Sequence, residues 1–267
     1  MIRRTSIFLA GLIIPLVLLS GSGESRGQTV AEDFQRFAPY ILDSQSCLCY
    51  IEADKKTGWY SKDIRDRKTL GEICRRLAKK SDSLIIPVFP TVYSPGVNLE
   101  TDKFYFDAVL GAAGIRSNDK VLVVGPGTGA DAWAAWLRAK DRIYVVDINP
   151  MAVANTKAVA MLAGFAVEAA VGDVTKTSLP KDFSGFDFVL WNMPMLNPPE
   201  TILSVPGRLS HDGDDGSLFD AFMTVLPRLL KKSGTAVVWN RSNAGDRIPY
   251  PFKSVKYRDF AVFMINP

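Results

Sequence analysis

The sequence predicts a doubly wound α/β domain, with a mostly parallel seven-stranded sheet, helices on both faces and a small N-terminal extension. Three observations carry that expectation. Strand-like apolar runs alternate with helix-like patterns between residues 121 and 239, and a strand that is followed by a helix returns to a parallel neighbour. A glycine-rich turn, Gly125-Pro126-Gly127-Thr128-Gly129, joins the first of these strands to its helix. Two short apolar runs, 255–258 and 260–265, close the chain and are placed to pair with each other.

At the start, Met1-Ile2-Arg3-Arg4 precedes an apolar run over 7–19, and Ser20-Gly21-Ser22-Gly23 follows. A charged n-region, a short apolar segment and small residues read as a signal peptide or membrane anchor over 1–27, so export or membrane anchoring is expected. The run is shorter than the roughly 17–20 residues a spanning helix prefers. Residues 28–90 form a basic N-terminal region, ahead of a main domain over 91–267. Between 54 and 80, ten Lys/Arg face four acids, so the net charge of +4 is concentrated there. Thr69-Leu70-Gly71-Glu72 resembles a capping box, and Leu70, Ile73, Leu77 and Ala78 mark one helical face. A solvated helix face is the ordinary reading, and a surface for an acidic partner (RNA, acidic protein or anionic lipid) is the functional one. A strand over 84–88, a helix over 104–110 and a turn at Arg116-Ser117-Asn118-Asp119 lead to the glycine loop.

Three cysteines make no disulfide framework, and Cys47 and Cys49 lie too close for an easy bridge in extended chain. No Cys/His cluster has metal spacing, and the single histidine is His211. A zinc site is not expected, nor a mechanism that needs a histidine beside a nucleophile.

Four apolar residues, Val121 to Val124, read as a buried strand, and a helix starts at Ala130. Glycine suits the turn between them because positive φ is permitted and a ligand can touch the backbone. The helix behind it offers unpaired N–H groups to an anion. Asp147 closes a second strand over 142–146, where a carboxylate can grip both hydroxyls of a ribose. Gly125-x-Gly127-x-x-Ala130 fits a dinucleotide loop, and Gly125-x-Gly127-x-Gly129 fits an S-adenosylmethionine loop.

Beyond Asp147, Pro150 opens a helix over 151–163 with Gly164 as its stop. A third strand over 167–171 ends in Gly172-Asp173, and a fourth over 186–191 ends in Asn192-Met193-Pro194. A Pro/Gly/Asp-rich loop over 197–216 precedes a helix over 218–232, kinked at Pro227, and a fifth strand over 234–239. In a doubly wound sheet the strand ends bearing Asp147, Asp173 and Asn192 share one crevice with the glycine loop. Each aspartate alone reads as a turn or helix cap; the set reads as a site.

These pieces resemble the class I S-adenosylmethionine-dependent methyltransferases, and more closely the branch with an Asn-Pro-Pro-Tyr type motif after the fourth strand. That branch includes release-factor glutamine methyltransferases and adenine amine methyltransferases. The matching segments are Val92-Tyr93-Ser94-Pro95, the 121–129 strand and loop, Val146-Asp147, Gly172-Asp173, the 186–194 strand and turn, and Gly213-Asp214-Asp215-Gly216. The resemblance implies a Rossmann-like methyltransferase fold and S-adenosylmethionine held by Gly125, Pro126, Gly127, Thr128, Gly129, Asp147, Ile148, Asp173, Val174 and Asn192. It also implies that Asn192, Met193 and Pro194 are catalytic: the Asn192 side chain and the Met193 carbonyl orient an attacking nitrogen, and Pro194 stiffens the turn. No metal is implied. Val123 stands where the family usually has an acid, Met195 replaces the aromatic fourth position, and Glu100-Thr101-Asp102 lies two residues farther from Pro95 than the related motif. An NAD-dependent oxidoreductase and a non-catalytic adenosyl-ligand- or RNA-binding protein are the alternatives. The first lacks an evident proton donor; the second draws on Val123, Met195 and the basic segment.

Overall fold

The computed structural model describes residues 6–9, 12–15, 47–54, 58–64, 83–89, 92, 105, 108–176, 179–194 and 216–267. The chain begins with β1 (Ser6–Leu9) and β2 (Leu12–Pro15), an antiparallel pair within the apolar run. Among the described residues no helix is long and apolar enough to cross a membrane. Next, β3 (Cys47–Asp54), β4 (Gly58–Ile64) and β5 (Ser83–Val88) form a three-stranded antiparallel sheet in the order β4-β3-β5. The strand expected over 84–88 is β5; the β3–β4 hairpin was not legible as such. The helix read over 69–80 and His211 lie outside the described residues.

The main sheet holds β6 (Val121–Val124), β7 (Ile143–Asp147), β8 (Val167–Val171), β9 (Phe186–Asn192), β10 (Leu230–Arg241), β11 (Phe252–Tyr257) and β12 (Phe260–Ile265). Their spatial order is β11-β12-β10-β9-β6-β7-β8. The five strands from β6 to β10 pair in parallel, and β12 and β11 pair antiparallel at one edge. This is the expected seven-stranded, mostly parallel, Rossmann-like sheet. From β6 the chain winds one way to β7 and β8, then returns to place β9 on the other side of β6. That reversal opens a crevice at the carboxyl ends of β6 and β9.

Three helices of the described residues cover the sheet: α1 (Ala130–Ala139), α2 (Pro150–Ala163) and α3 (Ser217–Leu229). Side chains alternate across a strand, so β6 feeds both faces. Val121 and Val123 join one core with Trp133, Ala134 and Val159, while Leu122 and Val124 join the other with Phe219, Phe222 and Leu226. Being apolar on both sides, β6 reads as a continuous hydrophobic run.

The boundaries of α2 are chemically explicit. Asn149 caps its start, accepting from Met151 N–H at 3.0 Å, Pro150 takes the first turn, and Gly164 ends it at φ 75°. Of the helix expected over 104–110, Tyr105 is helical and a π-helical turn runs over Ala108–Ala112, while 104, 106 and 107 lie outside the described residues. The helix expected to reach Lys232 stops at Leu229, and β10 starts at once. Leu230 pairs with Phe186, the register then shifts before Thr235, and Lys231 Nζ reaches Asp187 at 2.8 Å. At Gly234 a Cβ would lie 2.7 Å from the Phe186 carbonyl oxygen, so the return of the strand depends on glycine there.

Candidate cofactor and acceptor site

After β6 the chain turns through three glycines, all left-handed: Gly125 at φ 59°, Gly127 at φ 53° and Gly129 at φ 88°. Gly125 N–H donates to the Val146 carbonyl at 2.8 Å, which fixes the loop against the end of β7. Gly129 N–H donates to the Pro126 carbonyl at 2.8 Å, closing the turn before α1. A Cβ on Gly129 would sit 2.9 Å from the Cα of Thr156, so a side chain is excluded by backbone as well as by φ.

Helix α2 braces this loop from behind with two wholly buried polar residues. Asn155 Nδ2 donates to the Thr128 carbonyl at 3.1 Å, and Thr156 Oγ1 donates to the Gly127 carbonyl at 3.4 Å. Asn155 Oδ1 accepts from Phe89 N–H at 2.7 Å, tying the chain that precedes the site to the same brace. The sequence signal was available: an Asn-Thr pair interrupts an otherwise Ala/Val/Met-rich stretch.

Asp147, the last residue of β7, is buried and accepts one backbone bond on each oxygen. Oδ2 takes Gly127 N–H at 3.3 Å and Oδ1 takes Asn149 N–H at 2.9 Å. Burial raises its pKa to about 6 against the pull of those two bonds. The carboxylate thus lies at the loop, as the spacing of twenty residues from Gly127 predicts. Beside it, Ile148 is 57% exposed, an apolar side chain left uncovered at the rim of the crevice, whereas Val174 is buried.

Asp173 follows β8 and is engaged locally. Its Oδ1 accepts from Thr175 N–H at 2.9 Å and Thr175 Oγ1 at 2.6 Å, and Oδ2 pairs with Lys176 at 3.3 Å. Burial pushes its pKa up, but the Thr175 bonds and Lys176 outweigh it and hold the group below the usual range. This geometry is that of a turn cap.

On the other side of the crevice, Asn192 ends β9 opposite Trp239 of β10, half-buried, and none of the described residues hydrogen-bonds its side chain. Met193 is buried, its N–H donates to the Trp239 carbonyl at 3.4 Å, and its sulfur takes the Asn240 amide at 3.5 Å. Asn240 is itself buried and accepts from Arg241 N–H at 2.7 Å. The Asn192–Pro194 turn is therefore held from β10. Met195, residues 93–102 and 197–215 lie outside the described residues.

Sequence reading missed Asn240, which carries no motif, and the buried pair Asp131 and Tyr105. Asp131 stands in the first turn of α1 and is 8% exposed; burial raises its pKa to about 7. Tyr105 is wholly buried, and its hydroxyl has no hydrogen-bond partner among the described residues.

A glycine loop and an aspartate at the switch point of such a sheet form the arrangement in which α/β proteins bind nucleoside ligands. The chain is 32% identical over 133 residues to the "Putative protein N5-glutamine methyltransferase" of Methanocaldococcus jannaschii. The match covers 49% of this chain and 66% of that protein, just under two thirds of its length. The sequence matches no family model. Among solved structures it is similar to the ribosomal protein L11 methylase of Lactobacillus delbrueckii subsp. bulgaricus, with TM-score 0.48 and 14% identity, covering 66% of this chain and 81% of that one. It is also similar to an S-adenosylmethionine-dependent methyltransferase from Aquifex aeolicus, with TM-score 0.45 and 16% identity over 61% of this chain and 89% of that one. The sequence match, like the motifs, makes this chain similar to the class I S-adenosylmethionine-dependent methyltransferases.

Proposed function

We propose that this protein is an S-adenosylmethionine-dependent methyltransferase whose acceptor is a nitrogen nucleophile of protein, nucleic acid or a small molecule. The observation that carries the reading is the placement of Asp147 against the left-handed glycine loop. Its two oxygens organise Gly127 and Asn149, beside an uncovered apolar rim at Ile148. A loop without side chains at Gly125, Gly127 and Gly129 fits close backbone approach by a nucleoside, and the carboxylate fits its ribose hydroxyls.

Within this reading Gly125–Gly129, Asp147, Ile148 and Val174 hold the cofactor, and Asp173 does so through the adenine amino group by exchanging its bond to Lys176. When bound, S-adenosylmethionine supplies an electrophilic methyl group on a sulfonium, so that transfer is an in-line displacement. The chain's own task is then positioning. Asn192 Oδ1 and the Met193 carbonyl accept the hydrogens of the incoming nitrogen and aim its lone pair; the surplus proton leaves to solvent. Pro194 and the Asn240–Met193 contact keep that turn in place.

Calorimetry of the purified protein with S-adenosylmethionine, S-adenosylhomocysteine and NAD tests this. Binding of both adenosyl ligands and not NAD is expected; NAD alone would replace the reading with the oxidoreductase. In the same proposal, residues 1–27 direct export or anchoring and the basic 54–80 segment meets an acidic partner. N-terminal sequencing of protein from its host should find cleavage between about residues 20 and 28. An intact Met1 in a soluble cytosolic fraction would reject the export signal.

A further inference from the structure

We propose that Asp131 receives the positively charged amino group of the cofactor's amino-acid tail, an assignment that rests on the S-adenosylmethionine reading above. Two buried polar groups lie near enough to interact electrostatically, and neither has a hydrogen-bond partner among the described residues. Asp131 is two residues beyond Gly129, more than nine-tenths buried, and no hydrogen bond or ion pair among the described residues reaches its carboxyl. Tyr105 carries one of only two buried side-chain polar atoms among the described residues that lack a hydrogen-bond partner.

The two sense each other: burial raises the Tyr105 phenol first, and the nearby Asp131 charge raises it further. A carboxyl shut away from water in this way is costly while its charge is unmatched. No strand beside it offers a cation, because β6 is apolar throughout, Val123 included. Val92 packs over the loop, where a Cβ on Gly127 would meet its side chain at 4.0 Å. A cation arriving at the loop therefore finds an acid that no ion pair among the described residues neutralises. S-adenosylmethionine and S-adenosylhomocysteine both carry an ammonium group at the end of the tail. The Tyr105 hydroxyl is then the positioning partner that holds the ionised carboxylate.

The test uses the full chain and calorimetry with two probes, S-adenosylhomocysteine and its desamino analogue, which differ only in the ammonium group. The parent should prefer S-adenosylhomocysteine by about tenfold or more, as expected for a charged hydrogen bond, and Asp131→Asn should erase that preference. Affinity of the variant for the desamino analogue should match the parent's, which also reports an intact fold. An equal loss on both probes would assign Asp131 to holding the loop and overturn the proposal. An unchanged preference in the variant would overturn it as well. A parent that binds neither probe would defeat the S-adenosylmethionine reading itself, and this inference with it. Tyr105→Phe should reduce the preference only in part.

Discussion

Asp131 and Asp147 are carboxyls buried on two sides of one loop, with pKa values of about 7 and about 6. Both lie above the ordinary value of 3.8, so the folded chain holds more protons than the unfolded chain between that value and the folded one. Each group's contribution is therefore fully present below pH 3.8 and lost as pH rises through the folded pKa. Replacing Asp131 by Asn removes its share of that loss. Without ligand, Asp131→Asn should match the parent near pH 4 and be more stable by about 1–4 kcal/mol at pH 8. Thermal unfolding across that range checks the sign; a variant less stable at pH 8 would show that the carboxylate is already paired. Asp147 differs because, in the proposed reading, it accepts from ribose hydroxyls. Asp147→Ala should weaken S-adenosylmethionine binding by about 1.5–3 kcal/mol, measured by calorimetry. Asn192, whose side chain has no hydrogen-bond partner among the described residues, meets the acceptor rather than the cofactor in the proposed reading. Asn192→Ala should leave cofactor affinity within a few-fold and cut transfer by about 100-fold or more. Labelled cofactor with host lysate reads this out, and equal labelling by parent and variant would remove Asn192 from catalysis.

At the scale of elements, the site is a loop clamped between α2 and the end of β7. The clamp leaves no room at Gly129, where φ is 88° and the Thr156 backbone lies 2.9 Å from a would-be Cβ. Gly129→Ala should destabilise the protein by about 1–3 kcal/mol and lower cofactor affinity, because the left-handed penalty and the clash both move the loop. A variant that unfolds at the parent's temperature and binds normally would show that α2 yields without cost. Some element boundaries were readable from local chemistry alone, as at Asn149, Pro150 and Gly164 around α2. Others were not. Lys231-Lys232-Ser233 continues a helical pattern, yet it belongs to β10, because Lys231 pairs with Asp187 across the sheet and the strand bulges to accommodate it.

For the whole molecule, the reversal of winding between β8 and β9 brings loop, Asp147 and Asn192 to one edge of the sheet. A ligand bound there bridges β6, β7 and β9, and so acts on the stability of the main sheet. At 100 times its Kd, S-adenosylhomocysteine should add about 2.7 kcal/mol, a rise of roughly 5–10 °C in Tm for a chain of this size. NAD at the same concentration should leave Tm unchanged.

Local chemistry determined the strand–glycine loop–helix unit, the strand ends at Asp147, Asp173 and Asn192, and the parallel pairing of the central strands. Apolar period, β-branching and the turn residues are all carried by neighbours in sequence, so a linear reading reaches them. Tertiary structure decided the rest. Asn155 and Thr156 became the brace of the loop only when α2 folded back across it. Asn240 met Met193 because β10 lies beside β9. Asp131 is an acid in the first turn of a helix, and its burial near Tyr105 comes from packing between segments distant in the chain. No local pattern encodes that burial, and it is what turns an unremarked aspartate into the group that a cationic ligand fits.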